Sequence, residues 1–252
     1  MKTILIMFFI IVIFKSQLWA QHYITLGLGL SGAFYDSEDL DRFKETYNLV
    51  NKQSLSRSMQ GLGEAVGLRW EGGYRYLGRL GIAVLVGTQN YIGKDAAQYR
   101  NGEARNLELE MNSLYVECEI GRTHKIFFVN GIFTFFFNRT LILESTYSGS
   151  MSESPLNGTY TGDTSVSTDM GIAIGIFKDP IIITGKITYP IFTRGESTVL
   201  QDKRIKKVEN GTDIFPNDYV DYCYSKTYDG IASDIDGLKI LVTVAYAIPL
   251  KK

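Results

Sequence analysis

The side chains of this chain that could carry out chemistry are few and widely spaced. Its 2 histidines, His22 and His124, are the natural candidates for a general base. Its 2 cysteines, Cys118 and Cys223, are the natural nucleophiles or soft metal ligands. Two thiols can form neither a four-thiolate zinc site nor a disulfide scaffold. Cys118 falls in a strand pattern and Cys223 in a long polar stretch, which argues against a bridge between them. Asp234-Ile235-Asp236-Gly237 opens like a calcium loop but lacks the later ligands and terminal Glu of that pattern, so it reads as a turn entering a strand. Asn138, Asn157 and Asn210 begin glycosylation triplets, a pattern too short to carry weight by itself. No metal or cofactor site emerges. What remains is a set of eight charges set among small and apolar residues: Arg69, Glu71, Arg75, Glu117, Glu119, Asp169, Lys186 and Lys239. Four of each sign can neutralise one another in a low-dielectric interior, whereas each alone would cost several kcal/mol. Their chemistry is ion pairing, read either as a structural plug or as a gate or proton path.

The elements that carry these charges have a definite order. Met1-Lys2-Thr3, the apolar run Ile4–Phe14 and the small Ala20 read as a signal peptide over 1–20. The run is too short to span a bilayer; a retained N-terminal anchor helix is the alternative. Without Lys2 and Lys15 the formal net charge moves from −1 to −3, so nothing draws the chain to nucleic acid. From Gln21 to Lys252 the sequence predicts one domain of eight alternating strands. They fall near Tyr23–Tyr35, Glu64–Tyr76, Arg79–Tyr91, Asn106–Gly121, Lys125–Asn138, Val166–Phe177, Ile181–Arg194 and Gly237–Leu250. Such strands are long for a soluble protein and suit tilted membrane strands of about 9–11 residues. Tight turns at Leu77-Gly78, Arg122-Thr123-His124 and Lys178-Asp179-Pro180 alternate with long polar stretches at 36–63, 92–105, 139–165 and 195–236. Long connections segregated to one end predict an antiparallel up-and-down transmembrane barrel with short periplasmic turns and long extracellular loops.

The two faces of each strand differ in bulk. Val66, Leu68 and Trp70, Leu80 to Val86, Met170 to Ile176 and Leu238 to Ile248 alternate on an apolar face. Gly27, Gly29, Gly67, Gly73, Gly87, Gly171 and Gly175, with several alanines, occupy the other. The small face also carries all eight charges, which suits a narrow lumen, and the bulky face suits lipid. Average hydropathy near −0.02, 25 glycines and 13 % aromatics are what these opposed populations sum to. Aromatics near strand ends predict two interfacial rings: Tyr76, Phe127, Phe177 and Tyr246 at the turn side, Tyr35, Tyr91, Phe137 and Phe192 at the loop side. The apolar pattern of the fourth strand breaks parity, with Leu107, Leu109, Met111 followed by Leu114, Val116, Cys118. A bulge at Asn112-Ser113 would produce this; so would a first half lying beyond the membrane.

On this architecture the chain resembles the small eight-stranded outer-membrane β-barrel proteins of diderm bacteria. The resemblance implies residence in the outer membrane, contact with outer-membrane lipid and lipopolysaccharide, and an aromatic C-terminal residue, a place taken here by Leu250-Lys251-Lys252 after Tyr246. Enzymes of that family use His/Ser or His/Asp/Ser sites at the outer leaflet, and both histidines here fall on the opposite, turn side. The loops are where a specific role belongs. Ser37–Asn51 reads as a short helix with Leu40, Phe43, Tyr47 and Val50 on one face, packed on the rim or on a partner. The last loop joins Lys203, Arg204, Lys206 and Lys207 to Tyr219, Tyr222, Tyr224 and Tyr228, a composition suited to protein, glycan or phosphate contacts. The expected protein is a non-enzymatic surface barrel, adhesin-like or a subunit of an envelope complex, and otherwise a monomer. A narrow channel for ions or small solutes is the first alternative, a soluble secreted ligand-binding barrel the second.

Overall fold

The computed structural model describes residues 21–149, 157–194, 201–202 and 236–250. Eight long strands, β1 (Gln21–Asp36), β3 (Glu64–Leu77), β4 (Leu80–Tyr99), β5 (Ala104–His124), β6 (Phe127–Tyr147), β7 (Gly158–Lys178), β8 (Ile181–Arg194) and β10 (Asp236–Pro249), pair antiparallel with their sequence neighbours. The ring closes because β1 pairs with β10 from Tyr23↔Pro249 to Asp36↔Asp236. Two short strands, β2 (Leu55–Arg57) and β9 (Gln201–Asp202), add to the loop-side edges of β4 and β7. This is an eight-stranded up-and-down barrel, which leaves no open sheet edge. The three connections at one end, Gly78-Arg79, Lys125-Ile126 and Asp179-Pro180, are each two residues long. Position 125 adopts a left-handed backbone at φ 54, a place more often filled by Gly or Asn.

Alternation builds the two faces. In β1, β3, β4 and β10 the odd-numbered residues point inward, and in β8 the even-numbered ones. Outward lies an apolar belt including Leu26, Leu30, Trp70, Val86, Ile172, Ile187 and Val242. Trp70 is 60 % and Ile172 57 % exposed, a degree of apolar exposure that water does not favour but lipid does. No helix among the described residues is long and apolar enough to cross a membrane; the strands carry the belt.

The strands from β4 to β7 run well beyond the belt. The stretches expected as loops at 92–105 and 139–165 are in large part strand, because the β4–β5 and β5–β6 ladders continue to Gln98↔Ala104 and Arg105↔Tyr147. There the outer face turns polar, with an exposed Lys94–Glu108 ion pair at 2.9 Å, and the inner face turns apolar. This corrects the reading of β5. Leu107, Leu109 and Met111 point inward with Tyr115, Glu117 and Glu119, so β5 never switches faces. The bulge lies on the partner strand instead: β6 faces inward at Phe136 and again at Arg139, and Asn138 between them has φ 49. The aromatic rings need correction too. Tyr35 and Tyr91 are buried inside the loop-side end, meeting edge to face, and Phe177 packs inward on Tyr23. Phe127, Phe137, Phe192 and Tyr246 do face outward.

Helix α1 (Glu38–Val50) forms where the spacing of Leu40, Phe43 and Tyr47 placed it, with Ser37 at its N-cap position. These three side chains pack with Leu55, Met59 and Leu62 onto the inward-facing Leu107, Leu109, Met111, Leu141 and Leu143. Val50, expected on the same stripe, is exposed. Asn48 fixes the return of the chain, its amide donating to Met59 O and its oxygen accepting from Met59 N, both at 2.9 Å.

Candidate functional site in the barrel lumen

The interior is filled in three storeys. At the turn end Tyr23, Leu77, Phe128, Ile182, Ala245 and Ala247 form a small apolar cluster. At the loop end stands the larger cluster capped by α1. Between them lies the polar storey. Glycines on β1, β3, β4 and β7 leave room there for long charged side chains to cross from the facing wall. At Gly87 an added Cβ would sit 1.9 Å from Trp70 O and 2.5 Å from the Tyr115 hydroxyl.

Six of the charges form one continuous cluster contributed by β3, β5 and β8. Arg69 bonds Glu71 through Nε at 3.1 Å and Glu117 through an Nη at 2.8 Å. Arg75 meets Glu119 in a fork, with bonds of 2.8 and 3.1 Å. Lys186 reaches across from β8 to Glu117 at 2.6 Å, Glu71 at 3.1 Å and Glu119 at 3.3 Å, joining the two arginine pairs. Three cations thus face three carboxylates. Lys239 on β10 pairs separately with Asp169 on β7 at 2.7 Å, and the Thr188 hydroxyl donates to the same carboxylate. All eight side chains are buried.

Neutral groups complete the storey, and the sequence pattern did not single them out. Asn130 donates to Glu119 at 2.9 Å and Thr134 to Glu117 at 3.0 Å. The Arg69 guanidinium lies 3.8 Å over the Tyr115 ring, and Lys239 lies 4.7 Å from that of Phe136. Two further buried arginines escaped the sequence reading, Arg105 bonded to Ser145 and Asn157, and Arg139 against the Met111 sulfur. Their signal was inward parity on strands taken for loops. Chemically the storey holds fixed, mutually neutralised charges rather than an open acid or base.

The other expected chemistry is dispersed. His22 and His124 are exposed at the turn end, His22 Nδ1 sharing a hydrogen bond with the Tyr74 hydroxyl. Cys118 is a free thiol on the outward face. Among the described residues no three His, Cys, Asp or Glu side chains gather as metal ligands. Lys203, Arg204, Lys206, Lys207, Tyr219, Tyr222, Tyr224 and Tyr228 lie outside the described residues, as do Cys223, Asn210, Asp234, Ile235, the 1–20 segment and Lys251-Lys252.

At the loop-side rim the Tyr47 and Tyr99 hydroxyls hydrogen-bond each other, and the Tyr147 hydroxyl donates to Glu103. The Glu103 carboxylate accepting this proton, with some burial, pushes the Tyr147 phenol up to about 12. Burial followed by the bond to Tyr47 raises Tyr99 as well. The folded-state values lie above the ordinary phenol value of about 10. Their contribution to stability is therefore full below about pH 10 and is lost as pH rises toward and past the folded values. Phenolate absorbance against pH should show Tyr147 ionising late, and Tyr147→Phe should remove that late component; an unchanged titration would show that Glu103 does not hold the phenol.

A closed eight-stranded antiparallel barrel with an apolar girdle, a charge-filled lumen and loops segregated to one end is the fold class of outer-membrane barrel proteins. No family model matches the chain, and no curated protein matches it in sequence. Among solved structures it is similar to Ail, the attachment invasion locus protein of Yersinia pestis, whose crystal structure is in complex with the heparin analogue sucrose octasulfate. The likeness covers 92 % of this chain and 100 % of that one, at 7 % sequence identity and a TM-score of 0.40.

Proposed function

We propose that the protein is an integral outer-membrane barrel with a structural or surface-interaction role, its lumen plugged rather than conducting. The observation that carries this reading is the opposition of the two faces: a predominantly apolar belt outside, and inside a neutralised charge cluster between two apolar clusters. A soluble barrel would need the reverse exterior. Export through a cleaved signal peptide, residence of the two-residue turns in the periplasm and exposure of the long connections to the exterior complete the reading. The basic and tyrosine-rich segment 203–228 is the candidate contact for lipopolysaccharide phosphates or for a protein or glycan partner, as monomer or as part of an envelope complex. No catalytic role is assigned, because the two histidines stand apart at the turn end.

Membrane fractionation with heat-dependent gel migration tests the core of this proposal. The protein should resist extraction at high salt and high pH and migrate faster unheated than boiled; release by either wash without a heat shift would overturn it. Planar-bilayer recording tests the plug separately. No stable conductance is expected from the wild-type chain, and steady openings abolished by Arg69→Gln would establish the narrow channel instead.

A further inference from the structure

The turn end of the barrel holds an open cavity of about 720 Å³. Its inner wall is apolar, formed by Tyr23, Leu77 and Phe177. Its outer rim is cationic, with Arg122 near the end of β5, Lys125 on the turn that follows and Arg79 on the β3–β4 turn. The one carboxylate on the three turns, Asp179, does not line the cavity but lies close enough to act on the Tyr23 side chain of its wall; no acid among the described residues forms a salt bridge with Arg122 or Lys125. Lys125 holds its left-handed backbone at φ 54, where glycine would be relaxed, so a charge occupies the position at some conformational cost. Arg122 sits at the edge of the apolar belt. It is the first charged residue of the outward row of β5 beyond Ile120, followed by His124, and its ladder neighbours are Leu80 and Val129, the latter half-exposed. A group bound between Arg122 and Lys125 therefore lies where the acyl chains covering Ile120 and Val129 would end.

From this geometry we propose that the turn-end cavity binds the phosphate of an anionic lipid headgroup from the adjoining leaflet. Guanidinium and ammonium groups supply charge-assisted hydrogen bonds to the phosphate, and the aromatic wall shelters the glycerol. The choice of lipid over a soluble phosphate rests on the belt-edge position of Arg122. That the adjoining leaflet is phospholipid rests on the outer-membrane reading, with the turns in the periplasm.

The test uses the full chain folded in detergent micelles doped equally with phosphatidylglycerol and phosphatidylcholine, read by native mass spectrometry. Phosphatidylglycerol should be retained preferentially. Arg122→Gln combined with Lys125→Gly should weaken that retention by about 25-fold, since each basic group near an anionic surface is worth about a factor of five. Lys94→Gln, which removes a cation from the loop side, should leave it unchanged. Equal retention of the two lipids, or retention indifferent to the double substitution, would overturn the site. Displacement by soluble glycerol phosphate as readily as by lipid would overturn its assignment to lipid. Retention in micelles needs only the folded barrel, so extraction and heat-shift behaviour of the same chains reports on the outer-membrane reading independently.

Discussion

Replacing Lys186 with Met is expected to destabilise the folded barrel by about 3–5 kcal/mol, the usual consequence of removing one member of a buried ion cluster. Lys186 is 1 % exposed and is, among the described residues, the one cation that touches Glu71, Glu117 and Glu119 together. Without it three carboxylates share two guanidiniums, and one negative charge is left in a space that has little water to solvate it. The effect should appear as a lower midpoint in urea unfolding of the micelle-folded protein and as a lower temperature for loss of the compact gel band. Glu117→Gln added to Lys186→Met restores neutrality while leaving the fold of the site filled. The pair should recover a substantial part of the loss, because contacting members of one network do not contribute additively. A Lys186→Met chain within about 1 kcal/mol of wild type would mean that water reaches the storey and solvates the carboxylates in its place.

Gly87→Ala is the second large effect. The single methyl group would approach Trp70 O to 1.9 Å, a contact with the backbone of the adjacent strand that no rotamer change relieves. It would also press on the Tyr115 hydroxyl, whose ring supports the Arg69 guanidinium. Overpacking of this kind costs about 1–3 kcal/mol and sometimes more, and here it displaces two strands at once. The expected result is a barrel that unfolds at lower denaturant, measured as for Lys186→Met. Gly32→Ala is the matching control, since nothing lies within 4 Å of a Cβ at that outward position; it should behave as wild type. Equal stability of the two variants would show that β3 and β4 are not held as close together as the glycine allows.

Much of this architecture was legible in the residues because the membrane region imposes a single rule on every strand. Where the outside is lipid, bulky apolar residues must point outward, and charges such as Arg69 and Lys239 must turn in. Applied to β3, β7, β8 and β10, the rule places the faces as the structure has them, and the eight charges converge in one storey. Which acid meets which base was not legible. Parity says that Lys186 and Glu117 both point inward, but their contact across the lumen depends on the stagger of the ring. The rule failed where the strands leave the bilayer. Above the belt, water outside and a packed interior invert the preference, so Leu107, Leu109 and Met111 face in while Glu108 and Lys94 face out. Read with the membrane rule, that inversion looks like a bulge in β5. The actual bulge at Asn138 left a weaker trace, one Asn between Phe137 and Arg139 in a strand whose expected end was that same residue.

The cluster in the lumen also has a temporal side. Glu71 and Lys186 are 115 positions apart in the chain, and Glu117 and Lys186 are 69 apart. Strands β3, β4 and β5 can form a meander on their own, but it would carry Arg69, Arg75 and three carboxylates with no third cation. That intermediate has an unmatched negative charge on the face destined to be dry, and it remains unmatched until β8 swings into place. The last hairpin and the ring closure between β1 and β10 therefore deliver the missing partner late. A partly assembled barrel is penalised until it is nearly whole, so insertion should proceed with few long-lived half-built species. Truncations that end before β8 should fail to produce any compact form, because the strands they retain wait for a charge that never arrives.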